Sequence, residues 1–147
     1  MWLARHTPTT ILPKLHKLLD SLSQEFADCV EYGQGIYGCG YCFGGKYILL
    51  LCAEQGDDVV AGQKDPSATG EEEQGMKKHA PRLKAGVLAH GTMVAREDFV
   101  NVKSPIGMVC VENDGLFPDD VREEGVKSIK EKGGEIENWV HPGVPHG

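Results

Sequence analysis

Near the start of the chain, Leu12, Leu15, Leu18, Leu19, Leu22 and Phe26 recur at helical spacing. This predicts a helix over 8–28, capped by Thr9 or Thr10. Residues 30–35 connect it to a short strand at 36–40, and 46–54 read as an apolar helix suited to burial against a sheet. The pattern breaks at 55–82. There Asp57, Asp58, Asp65, Glu71, Glu72 and Glu73 mix with Gly, Pro, Ser and Gln and offer little to a core, so an exposed, mobile acidic insertion is expected. Order returns with strands at 85–89 and 106–111. A helix follows at 118–133, opened by Pro and Asp and closed by Gly133-Gly134, and a last strand at 135–140. Apolar strands alternating with helices predict an α/β chain, a mainly parallel sheet of about four strands covered on both faces.

Composition narrows the class. The chain has 147 residues, 40% hydrophobic and 25% charged, which suits one soluble domain with a single core. A formal net charge of −7 with no Lys/Arg cluster argues against nucleic-acid binding. No run approaches the ~20 apolar residues of a membrane helix, and the first residues lack the pattern of a signal peptide. Five cysteines without a disulfide-framework spacing read as reduced thiols, and a cytoplasmic location is expected.

The chemistry centres on Cys42. It lies in Gly40-Tyr41-Cys42-Phe43-Gly44-Gly45, between a strand and a helix, and this is the spacing of a nucleophile elbow with Cys in place of Ser. The turn strains the nucleophile's backbone and crowds the residues two before and two after it, hence Gly40, Gly44 and Gly45. The following helix aims its N-terminal N–H groups at the sulfur and favours thiolate. In parallel sheets, sites form beyond the carboxyl ends of the strands. Asp114 follows the third strand and His146 the last, giving the chain order nucleophile, acid, histidine. His146 would take the thiol proton and later activate water, and Asp114 would hold the imidazole's tautomer. Glu112 is an alternative acid. His90, at a strand end, reads as a strand-capping histidine.

Four segments carry a family resemblance: Gly40 to Tyr47, Ala85 to His90, Val111 to Phe117, and Trp139 through Pro142-Gly143-Val144-Pro145-His146-Gly147. Together they resemble the dienelactone hydrolases (carboxymethylenebutenolidases), the fungal branch most of all. The resemblance implies an α/β-hydrolase fold and a Cys42-Asp114-His146 triad. It implies cleavage of lactones or small carboxylic esters through a thioester acyl-enzyme, with the Phe43 backbone N–H as an oxyanion donor and with no metal or organic cofactor.

The chain resembles the C-terminal part of such a protein, a single incomplete domain over 1–147. Upstream strands, the loop that supplies a second oxyanion donor, an upstream glutamate and a final helix have no counterpart. Losing one oxyanion donor typically costs about 10²–10³ in turnover. The elbow strand should then present an exposed sheet edge prone to self-association. Three other readings compete. One is a remnant that keeps the triad residues and serves in binding or assembly. Another is a dithiol oxidoreductase using Cys39-Gly40-Tyr41-Cys42, although Cys39, inside the strand, reads as core. The third is a metal site of Cys42, His90, His141 and His146, which no ligand-spacing motif supports.

Overall fold

The computed structural model describes residues 5–67 and 78–147. In chain order the elements are α1 (Pro8–Glu25), α2 (Ala27–Tyr32), β1 (Tyr37–Tyr41), α3 (Phe43–Leu51), β2 (Gln55–Gly56), α4 (Asp57–Val60), β3 (Lys78–His79), β4 (Ala85–Ala89), β5 (Ile106–Val111), α5 (Asp119–Glu131) and β6 (Ile136–His141). A 3-10 turn, Arg96–Phe99, lies between β4 and β5. The four longer strands form one sheet in the order β1-β4-β5-β6, and every pairing is parallel. The order expected from the sequence is therefore present, and all four carboxyl ends meet at one edge.

The helix expected over 8–28 is two helices. The first ends at Phe26, whose φ of −118° leaves helical space, and α2 restarts at Ala27. Buried His16 docks α1: its Nε2 pairs with Gln55 Oε1 at 2.9 Å, while Gln55 donates to the Leu50 carbonyl. These bonds satisfy His16 Nε2 and the Gln55 amide, which burial would otherwise strand.

One core holds the domain together. Leu12 and Leu19 of α1, Ile48 to Leu51 of α3, Leu88, Ile106, Met108, Phe99, Phe117 and Ile129 are all buried in it. Ile48 sits at the centre of the sheet: a Cβ added at Gly38, Gly40 or Gly86 would meet its side chain at 2.8 Å or less. The packing therefore places α3 directly on β1 and β4.

Two expectations need correction. The strand pattern predicts cover on both sheet faces, yet α3 and α5 share one core on one face. Among the described residues the other face is open: Tyr37 is 60% exposed, Tyr41 54%, Val87 42% and Trp139 48%. Cys39 follows the same alternation on the edge strand and is exposed instead of core. Alternation tells which residues share a face but not whether anything packs on it.

The second concerns the acidic segment. Both of its described ends are folded: β2 pairs antiparallel with β3, Val59 of α4 enters the core, and Gln55 is buried. Two apolar or amide groups in an acidic background were enough to anchor it. Residues 68–77, the centre of the expected insertion, lie outside the described residues.

Candidate active site

The elbow follows from the handover between β1 and α3. Cys42 takes φ +50° and ψ −114°, a left-handed conformation rare for a side-chain-bearing residue, and stands at the N-cap of α3. Its N–H donates to the Ala89 carbonyl at 2.9 Å, and its carbonyl accepts from Gly45 at 3.0 Å and Thr92 at 3.1 Å. These bonds hold the strained residue between two strand ends. The helix starts at Phe43, three residues earlier than expected, so its N-terminus lies directly at the sulfur.

The glycines do not all act as expected. A Cβ at Gly40 would lie 2.5 Å from the Gly44 carbonyl oxygen and 2.5 Å from Ile48, so that position must stay bare. Gly45 backs onto Gly91 and Leu88, with contacts of 3.3 and 3.4 Å for an added Cβ. Gly44 is different: nothing lies within 4 Å of an added Cβ. Its backbone carbonyl, not its missing side chain, makes the tight approach to Gly40.

Asp114 and His146 converge on Cys42 from other strand ends. After β5, Asn113 adopts φ +55°, and this turns Asp114 inward to a buried position while Glu112 stays exposed. Asp114 Oδ1 accepts the Leu116 N–H at 2.9 Å, which sets the carboxylate. Its Oδ2 lies 2.7 Å from His146 Nδ1. His146 is half-buried, packed edge-on against His90 at 5.6 Å between ring centroids, and His90 in turn lies tilted against Tyr41 at 5.4 Å. His90 thus contacts the imidazole as well as ending its strand. His141 is exposed at the end of β6.

Sequence reading missed two contributors. Thr92 Oγ1 lies 3.2 Å from Cys42 Sγ and 3.2 Å from His146 Nε2, between the two. Beneath it is a buried ion pair. Lys46 Nζ lies 2.7 Å from Asp98 Oδ2, and also donates to Ser67 Oγ at 2.9 Å and the Met93 carbonyl at 3.0 Å. Asp98 accepts from Ser67 at 2.6 Å and from the Ala95 N–H at 2.8 Å. The pair thereby fixes the loop that carries Thr92. A lysine in the first turn after a glycine pair was the available signal.

The electrostatics agree with this geometry. Hydrogen bonding to His146, then to Thr92, holds the Cys42 thiol below its ordinary range; partial burial opposes the shift and the Phe43 N–H assists it. His146 is raised, first by Cys42 and then by Asp114. For Asp114, burial pushes the carboxyl up, but hydrogen bonds from His146 and the Leu116 N–H outweigh it and the net direction is down. All three shifts favour a charged thiolate–imidazolium–carboxylate row. By contrast, burial drives Cys52 up to about 12 and Cys110 up to about 11, which keeps them as inert core thiols.

No protein-family model matches the chain. It is 22% identical over 142 residues to the hydrolase tropI of Talaromyces stipitatus, covering 97% of this chain and 44% of that protein. It is 24% identical over 123 residues to the hydrolase pyvD of Aspergillus violaceofuscus, covering 84% and 38%. The chain thus spans less than half the length of these two relatives. Among solved structures, a Klebsiella pneumoniae protein described as a dienelactone hydrolase superposes with a TM-score of 0.68 at 18% identity, covering 98% of this chain and 52% of that one. Esterase Est2 of Thermogutta terrifontis superposes at 0.70 and 13% identity, covering 97% and 56%. The fold is of the α/β-hydrolase type, present here in part.

Proposed function

We propose that the chain forms the catalytic part of a carboxylic ester or lactone hydrolase that works through a cysteine nucleophile. The observation that carries this reading is the row Cys42, His146 and Asp114, with Asp114 2.7 Å from Nδ1 and Nε2 turned toward the sulfur side. Cys42 attacks the substrate carbonyl as thiolate, and the Phe43 N–H, already beside the sulfur, receives the developing oxyanion. His146 donates its proton to the leaving alcohol, and a thioester remains on Cys42. His146 then takes a proton from water, which hydrolyses the thioester. Asp114 holds the Nδ1 proton throughout. Gly40 and Gly45 allow the elbow, and no cofactor takes part in these steps. The hydrolase names of the relatives support the reaction class, and Est2 supports ester cleavage.

Among the described residues, the open sheet face and the edge position of β1 favour a second reading, in which the chain assembles with a copy of itself and the triad residues are retained without turnover. One experiment separates the two. Hydrolysis of a small activated ester and of a dienelactone is measured for the chain and for Cys42→Ala, with circular dichroism on both. Turnover abolished by the substitution is the expected result. Turnover that persists in Cys42→Ala would refute the mechanism, and a folded but inactive wild-type chain would favour assembly.

A further inference from the structure

We propose that Thr92 is a further catalytic residue, whose hydroxyl bridges Cys42 Sγ and His146 Nε2 and stabilises the thiolate that forms when Cys42 passes its proton to His146. The inference rests on reading Cys42 as the nucleophile and His146 as its base. Its starting point is that one oxygen lies 3.2 Å from each reacting atom. Asp114, 2.7 Å from Nδ1, keeps the ring proton there, so the neutral imidazole presents only a lone pair at Nε2. That lone pair takes the Cys42 proton, and the Thr92 oxygen lies beside both reacting atoms. After proton transfer, Nε2–H can donate to Thr92 Oγ1, and the Thr92 O–H donates to the thiolate. A single hydroxyl, one donor with spare lone pairs, thus serves both charged partners without moving a heavy atom.

The step balances. The S–H bond breaks as an N–H bond forms at Nε2, while the Thr92 O–H bond stays intact and turns to the sulfur. The S–H electron pair stays on sulfur, and nothing is oxidised or reduced. Thr92 is also held for this task. His90 and Met93, on either side, take φ +49° and +59°, and the Thr92 N–H is tied to the Cys42 carbonyl at 3.1 Å. The Met93 carbonyl and the Ala95 N–H are clamped by Lys46 and Asp98. The hydroxyl is therefore fixed by backbone on both sides, and it contributes to the lowered Cys42 thiol.

The test is the pH dependence of Cys42 alkylation by iodoacetamide, followed by mass spectrometry on the Cys42 peptide. It compares the full chain with Thr92→Val and Thr92→Ser, each checked by circular dichroism. A hydrogen bond to a charged group is lost in Thr92→Val, so its midpoint should rise by about one pH unit or more. At neutral pH its alkylation should slow about tenfold or more. Thr92→Ser should stay close to wild type. A Thr92→Val midpoint that coincides with wild type overturns the proposal, as does a Thr92→Ser profile identical to that of Thr92→Val. If Thr92→Val does not fold, Thr92→Ala takes its place with the same expectations. Alkylation needs no ester, so absent turnover counts against the hydrolase reading alone, and an unmoved midpoint counts against Thr92 alone.

Discussion

Replacing Asp98 by Ala should damage both stability and the site, although Asp98 touches neither Cys42 nor His146. The Asp98 side chain is 0% exposed and the Lys46 side chain 8%, with their charged atoms 2.7 Å apart. Removing the carboxylate leaves a buried ammonium whose remaining partners are the Ser67 hydroxyl and the Met93 carbonyl. Breaking a buried pair from one side costs about 3–5 kcal/mol, against a total stability of about 5–15 kcal/mol for a domain. With a urea slope of about 2 kcal/mol/M, the midpoint should fall by about 1.5–2.5 M. Lys46→Met combined with Asp98→Ala removes the orphaned charge and should recover part of that loss, which a double-mutant cycle measures. The loop from Gly91 to Ala95 should loosen with it, and Cys42 alkylation at neutral pH should slow. A loss below about 1 kcal/mol, or a double variant no more stable than Asp98→Ala, would refute the reasoning.

Further outcomes are expected at Asp114, at the elbow glycines and on the open face. Asp114→Asn should keep the fold and lower kcat by about 10⁴, because the imidazole loses the group that fixes its tautomer. Asp114 sits below its ordinary value, so the stability it contributes is present above pH 3.8 and lost as pH falls through its lower folded value; Asn should flatten that acid limb in urea titrations. Gly40→Ala should cost about 1–3 kcal/mol by chemical denaturation, since its Cβ would lie 2.5 Å from a backbone oxygen, whereas Gly44→Ala should be close to neutral. On the assembly reading, charged substitutions at Val87 and Trp139, which are 42% and 48% exposed, should shift the sedimentation profile toward monomer; a profile unchanged by both would remove that face from any self-association.

The parts legible in the sequence are those set by local pattern. The strands Ala85–Ala89 and Ile106–Val111 fall where their apolar runs place them, and the elbow spacing locates Cys42 at the N-terminus of a helix. Asp114 and His146 lie at the strand ends where chain order places them, and the left-handed turn at Asn113 buries Asp114 while Glu112 stays exposed. What escaped depends on contacts distant in sequence. Thr92 reaches Cys42 across 50 residues and His146 across 54, and Lys46 reaches Asp98 across 52. No periodicity marks such partners. Gly44 misled for another reason: spacing shows that a close approach exists but not whether side chain or backbone makes it. The open face escaped because apolar alternation has the same appearance whether or not another layer covers the sheet.

The central claim is that Cys42 becomes acylated. The most direct measurement is mass spectrometry of the chain quenched during turnover of a small activated ester, with the adduct mapped by digestion. A mass increase equal to the acyl group is expected on the Cys42 peptide and is absent from Cys42→Ala. Turnover with no adduct, or an adduct on another residue, would contradict it.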